Sequence, residues 1–304
     1  MGDNANIQEN LENKLKELYE DLFKKFEIDE KTGVLNNYEK FEEYKKAGKL
    51  KKFPTYPYIG SKYGSKGVPK ILVIGLDIGS DEKKDGIKSF KERREDIGGE
   101  KNGKYNPHIA GTYFLALYFL EESPDLEKSF WEKIGNKETC QGVLKNIYNV
   151  VKNEGNIKNI LNVLKKIYNV VKNEGNIKSI LNIENPLHYI SLTNYYKFVT
   201  KDRDKKFGGN DRIYLNKSFE KDFLLKEIKE FNPDIILFQS KKFENILSKD
   251  KDKNLINRIK EIDEKIEIYI GYHPSYSFKD KKNPEKDIRN PKELIKSYEE
   301  YPKD

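Results

Sequence analysis

Apolar positions recur at helical spacing from early in the chain. Ile7, Leu11, Leu15, Leu18, Leu22 and Phe23, with charges between them, predict an amphipathic helix over 7–26. Residues 27–69 are mostly polar and are broken by Pro54, Pro57, Gly60, Gly64 and Gly67, as in a linker. The run Ile71-Leu72-Val73-Ile74, bounded by turn residues, predicts a strand over 70–75 that is buried on both faces. A mostly buried helix is expected over 110–121. Further strands are expected at 188–194, 233–238 and 266–270, with helices at about 218–230, 253–262 and 291–300. Strands separated by helices imply parallel pairing with helices on both sheet faces. The expected fold class is α/β: a three-layer α/β/α domain over 70–304 with a central, mostly parallel four-stranded sheet. Residues 1–69 then form an N-terminal helical extension and linker.

An internal repeat interrupts this pattern. Residues 144–163 and 164–183 agree at 17 of 20 positions. Ile160, Leu161, Leu164, Ile167, Tyr168 and Val171 fit one helix face. Two copies are fewer than a solenoid needs, so a tandem duplication enlarging a helical insertion at about 140–183 is expected. A partner-docking helical hairpin is the functional alternative.

Composition narrows the classes. The chain has 304 residues, 36% apolar and 36% charged, with 12% aromatic content to help fill a core. Its 58 basic and 51 acidic residues leave a net charge of +7, which permits a polyanionic partner without demanding one. With one cysteine, Cys140, neither an intrachain disulfide nor a thiolate metal cage can form. His108, His188 and His273 lack the spacing of a zinc helix. No apolar run approaches the roughly 20 residues that span a bilayer, and no signal-like segment opens the chain. A cytoplasmic, monomeric protein with no metal or cofactor is expected.

Ligands of open α/β sheets collect beyond the carboxyl ends of strands. The first strand runs into Gly75-Leu76-Asp77-Ile78-Gly79, which by itself reads as an ordinary strand-to-helix turn. The second ends on Asn194. The fourth is followed by His273-Pro274-Ser275, which alone reads as a rigid turn. As an ordered set, these three segments resemble the uracil-DNA glycosylase superfamily. That resemblance implies a uracil-DNA glycosylase-like fold. It makes Asp77 the carboxylate that holds the attacking water and Asn194 the group that reads the edge of a flipped base. His273 becomes the donor that meets the leaving base. Gly75, Leu76, Ile78 and Gly79 would line the base pocket. A looser match, Asn106-Pro107-His108-Ile109-Ala110-Gly111-Thr112, puts His108 where the family's iron-sulfur branch stacks a Phe on the base. The cluster cysteines of that branch are absent. Ile78 replaces the usual Pro. Gly79 replaces the Tyr that excludes larger bases, which implies a roomier pocket.

The residue types suit the chemistry. A base inside a duplex must be flipped out at a cost of a few kcal/mol. Tyr276 or Phe278, just past Ser275, is a candidate wedge for the vacated stack. Lys279, Lys281 and Lys282, with Lys241 and Lys242 after the third strand, are candidate phosphate contacts, although such runs are commonly solvated faces. The expected activity is therefore monofunctional excision of uracil, or of a larger damaged or modified base, from DNA in repair or phage defence. The alternatives are a catalytically inactive DNA-binding protein of the same fold and an unrelated α/β hydrolase. The Gly75 turn lacks either phosphate-cradling glycine pattern.

Overall fold

The computed structural model of the chain describes residues 2–36, 51–76, 86–98, 107–120, 186–200, 217–248, 254–274 and 291–300. The elements are, in order, α1 (Gly2–Phe26), β1 (Lys51–Lys52), β2 (Tyr58–Ile59), β3 (Ile71–Gly75), α2 (Phe90–Gly98) and α3 (Pro107–Leu120). A 3-10 turn (Pro186–Tyr189) leads into β4 (Ile190–Asn194), then β5 (Val199–Thr200), α4 (Lys217–Phe231) and β6 (Ile235–Gln239). The last are α5 (Lys242–Ser248), α6 (Leu255–Ile262), β7 (Glu267–Gly271) and α7 (Pro291–Glu299).

The fold class is α/β. The main sheet has five strands in the order β2-β4-β3-β6-β7. The four expected strands pair in parallel, and β2 joins antiparallel at the edge through Tyr58↔Leu192 and Ile59↔Ser191. The sheet is thus mixed, with one strand more than expected. β1 and β5 form a separate two-stranded ribbon.

Side-chain alternation divides the interior into two cores. Leu72, Ile74, Ile236, Phe238 and Ile270 point to one, where α1, α4, α5 and α6 cover the sheet. Ile71, Val73, Ile190, Leu192, Leu237 and Tyr269 point to the other, under α2, α3 and α7. Ile71 through Ile74 are all fully buried, which is why the first strand reads as an unbroken aliphatic run. Each such side chain contributes about 1.5–3 kcal/mol of burial.

Packing crosses the expected boundary at residue 69. Leu15, Tyr19 and Leu22 of α1, Phe53, and Ile59 of β2 lie in the same core as Leu72 and Ile74. Tyr19 meets Phe53 and Phe223 at ring distances of 5.2 and 5.1 Å, so aromatic contacts fill what the aliphatic content leaves short. Ile7, placed on the apolar stripe by periodicity, is instead 44% exposed.

The ends of several elements move for local reasons. The second strand begins at Ile190, because Pro186–Tyr189 takes a 3-10 turn. The third begins at Ile235. Asn232 closes α4 in a left-handed conformation (φ 44°), and its N–H bonds the Ile228 carbonyl at 2.9 Å. Helix α2 falls outside the periodic segments, yet Ser89 and Glu92 cap it reciprocally: the Ser89 N–H donates to Glu92 Oε2 at 2.8 Å and the Glu92 N–H donates to Ser89 Oγ at 3.2 Å. The duplicated segment 144–183 lies outside the described residues. No helix among them is long and apolar enough to cross a membrane.

Gly271 has no room for a side chain, since a Cβ there would lie 2.1 Å from the Tyr298 ring. Tyr298 is fully buried on α7 and cannot swing away. Gly271→Ala is expected to destabilise the chain by about 1–3 kcal/mol, measured by urea denaturation; an unchanged midpoint would contradict this packing.

Candidate active site at the carboxyl edge of the sheet

The four parallel strands end in one row. Gly75 pairs with Asn194, and Gln239 pairs with Gly271. Ile74 pairs with Phe238, so Gly75 and Gln239 lie side by side. The residues before them, Ile74, Phe238 and Ile270, face the α1/α4 core. The row Asn194-Gly75-Gln239-Gly271 therefore faces the α3/α7 side. The order of the parallel strands is second, first, third, fourth, so the chain reverses direction between β3 and β6. A crevice opens at such a reversal. Gly75 and Gln239 are the strand ends on either side of this reversal.

Each member of the row has a defined neighbour. The Asn194 carboxamide lies across Gly75, and a Cβ on that glycine would sit 2.8 Å from Asn194 Oδ1. Buried Gln239 donates from Nε2 to buried Thr112 Oγ1 of α3 at 2.9 Å. Gly271 lies under Tyr298. Helix α3 is further locked at Gly111, where a Cβ would meet Pro274 Cβ at 2.3 Å. The amino-terminal part of α3 thus packs directly on the His273-Pro274 turn. Position 108 is one turn before Thr112 in α3.

The half-buried His273 follows a tethered backbone. The Tyr272 N–H donates to Ser297 Oγ at 3.0 Å, and the Tyr298 hydroxyl donates to the Tyr272 carbonyl at 3.1 Å. On the β3 side the Tyr195 and Tyr196 N–H groups donate to the carbonyls of Gly75 (2.8 Å) and Leu76 (3.0 Å). Asp77, Ile78 and Gly79, which follow Leu76 in the sequence, lie outside the described residues. Strands β3 and β7 flank β6, so their ends are two strand spacings apart, about 10 Å. The chain leaves both ends on the same edge, two residues before Asp77 and two before His273.

Beneath Asn194, on the opposite face, is a buried ionic cluster that periodicity does not announce. Lys197 is 3% exposed and forms an ion pair with the fully buried Glu227 of α4. Its ammonium also donates to Thr193 Oγ1 at 2.9 Å and to the Asn194 carbonyl. Glu227 accepts from the hydroxyls of Tyr19 on α1 and Thr193, the latter at 3.0 Å. Glu220, one heptad before Glu227, accepts from the Lys197 main-chain N–H at 3.4 Å. Burial pushes the Glu220 carboxyl up to about 8, against the lowering effect of Lys197. Burial first, and then the Glu227 carboxylate, raise the Tyr19 hydroxyl well above its ordinary range. The signal for this cluster is in the sequence. Glu220 and Glu227 sit on the stripe shared by Phe223, Leu224, Ile228 and Phe231, where a charge needs a buried partner.

The remaining candidates differ in where they fall. His108 is in the first turn of α3. Ser275, Tyr276, Phe278, Lys279, Lys281 and Lys282 lie outside the described residues. Lys241 pairs with Glu244 at 3.0 Å and covers the Tyr272 ring at 5.7 Å, so its charge is engaged within the chain. Lys242 is exposed at the start of α5. His188 is at the amino end of β4, away from the row, where its carbonyl accepts from the Lys62 N–H at 2.8 Å. Among the described residues no group of three or more His, Cys, Asp or Glu side chains could hold a metal ion.

The raised Glu220 pKa has a sign. The folded chain keeps a proton that the unfolded chain releases above about 4.5. Stability must therefore fall as pH rises from about 4.5 to about 8 and level off above that. Glu220→Gln cannot titrate and is expected to flatten that decline in denaturation midpoints measured across the window. An unaltered slope would show that the group does not titrate there.

Comparison of the chain with protein-family models, with curated proteins and with solved structures finds no match.

Proposed function

We propose that this chain is a DNA glycosylase with a uracil-DNA glycosylase-like three-layer architecture, excising a flipped uracil or larger modified base by hydrolysis of its N-glycosidic bond. The observation that carries the reading is the row of strand ends. Asn194, the strand leading to Asp77 and the turn bearing His273 share one edge, around the crevice where an open sheet binds its ligand. These are the three segments on which the resemblance rests.

In this reading a base enters the crevice edge-on. The half-buried Asn194 offers a carbonyl and an amide on one planar group, which suits the polar edge of a base. The bond from C1′ to the base nitrogen breaks, and its electron pair leaves with the base. His273 donates a hydrogen bond to the base oxygen as charge gathers there. Asp77 orients a water whose oxygen bonds to C1′ and steadies the cationic sugar, while the water's proton passes to the carboxylate. Glycine at position 79 leaves room for bases larger than uracil. Lys242 and the Lys279–Lys282 segment supply charge for phosphates, and Tyr276 or Phe278 occupies the vacated stack. The enzyme acts as a cytoplasmic monomer and needs no cofactor for these steps.

Oligonucleotides bearing uracil, hypoxanthine or bulky modified cytosines, scored for alkali-labile abasic sites, test the proposal. The wild-type chain should release at least one of these bases. Asp77→Asn and His273→Ala should each lower the single-turnover rate by about 10²–10³-fold, the size of losing one transition-state donor. Full activity in both variants would sink the assignment. DNA binding without base release would instead identify an inactive binder.

A further inference from the structure

We infer that buried Lys197 is a positioning residue that fixes the direction of the Asn194 carboxamide, anchored through Glu227 to α4 and α1. This rests on the reading of Asn194 as the base-reading group. Lys197 has three partners: its ammonium donates to Thr193 Oγ1 and to the Asn194 carbonyl, and its charge pairs with the Glu227 carboxylate. Two of these belong to consecutive residues at the very end of β4. The Asn194–Tyr195 peptide is consequently gripped on both sides. Its carbonyl is held by Lys197 and its N–H by the Gly75 carbonyl at 2.8 Å. With that peptide plane fixed, the Asn194 side chain leaves on the opposite face and crosses Gly75, where its Oδ1 lies 2.8 Å from the place a Cβ would take.

Stability alone gives no reason for such an arrangement. A buried ion pair is commonly matched or exceeded by apolar side chains of the same volume. Apolar side chains, however, cannot aim two hydrogen bonds at a strand end. A group that reads a base edge must be held within about 0.5 Å of its working position. The anchor is deep: Glu227 is fully buried and also receives the Tyr19 hydroxyl, while Glu220 takes the Lys197 main-chain N–H. Through Tyr19 the N-terminal helix becomes a support of the site.

The test uses the full chain and the double variant Lys197→Met with Glu227→Gln, which removes both charges at similar volume so that neither is stranded. Hydrogen exchange of the DNA-free protein should accelerate by about 10-fold at the Tyr195 and Tyr196 amides, the worth of a lost charge-assisted bond, with Val73 and Ile74 unchanged. Base excision is then measured in a cycle with Asn194→Ala. If Lys197 acts through Asn194, the double variant lowers kcat/KM about 10-fold when Asn194 is present and has no further effect when it is absent. An equal loss in both backgrounds, or unchanged exchange at 195–196, overturns the inference. Should the wild-type chain release no base from any substrate, the glycosylase reading fails while the exchange measurement still decides the clamp. Thr193→Val keeps shape and removes the hydroxyl shared by Lys197 and Glu227. It should give the same pattern at smaller size if the double variant does not fold, and its absence would likewise overturn the inference.

Discussion

The molecule is organised by the burial of β3 on both faces. A strand with cores above and below has no solvent for its main-chain groups, so each must find a ladder partner. β4 and β6 supply those partners in parallel register. Parallel pairing in turn requires crossover connections, and these place helices on both sides of the sheet. With aliphatic side chains filling the strand interiors, polar chemistry is confined to where the strands stop. The placement of Asn194, Gly75, Gln239 and Gly271 at one edge is a consequence of that constraint.

The ionic cluster is the main departure from it. Lys197 and Glu227 lie inside the α1/α4 core, where an unpaired charge would be strongly unfavourable. The pair is tolerated because each charge has further partners beside the opposite charge: two acceptors for the ammonium, and two hydroxyl donors for the carboxylate. Glu220 has only the opposing influence of Lys197 and a long main-chain bond, which is why burial wins and its carboxyl holds its proton to about 8. Two glutamates on one helix stripe, a heptad apart, thus differ in how fully they are solvated by protein groups.

Much of the fold was legible in the chain because its strong signals are local. Ile71–Ile74 reads as a doubly buried strand because four aliphatics stand between turn residues, and α1 carries a helical stripe from Leu11 to Phe23. The antiparallel strand β2 was not legible, because two residues, Tyr58 and Ile59, carry no period at all. Helix α2 was marked by the Ser89–Glu92 box rather than by apolar spacing. In the site, Asn194 and the His273-Pro274 turn each read alone as an ordinary strand end or turn, and only their order along the chain after successive strands set them apart. Gln239 was not singled out, since the third strand read as ending at Phe238, and pairing with Gly271 adds one residue. Lys197 was hidden for a different reason. A lysine among Tyr195, Tyr196 and Phe198 looks like surface punctuation until the stripe glutamates of α4, the nearer of them 23 residues on, are brought beneath it.

The glycines complete the account of why a pocket can exist at this edge. A strand-end row of four large side chains would close the crevice with its own bulk. Here two amides alternate with two glycines, and each glycine is used by a neighbour: Gly75 by the Asn194 carboxamide and Gly271 by the Tyr298 ring. The third glycine, Gly111, lets α3 approach Pro274 closely enough for Thr112 to reach Gln239. Small residues at the row let α3 and α7 come within contact distance of the strand ends and of the turn after β7. A ligand entering there would meet an amide oriented from below by Lys197, a helix end strapped from the side by Gln239 and a histidine turn backed by α7. Gln239 and α7 belong to regular elements. Lys197, in the segment between β4 and β5, is tied to α4 through its ion pair with Glu227. Each support is thus anchored in the packed core, as a site that discriminates by fractions of an ångström requires.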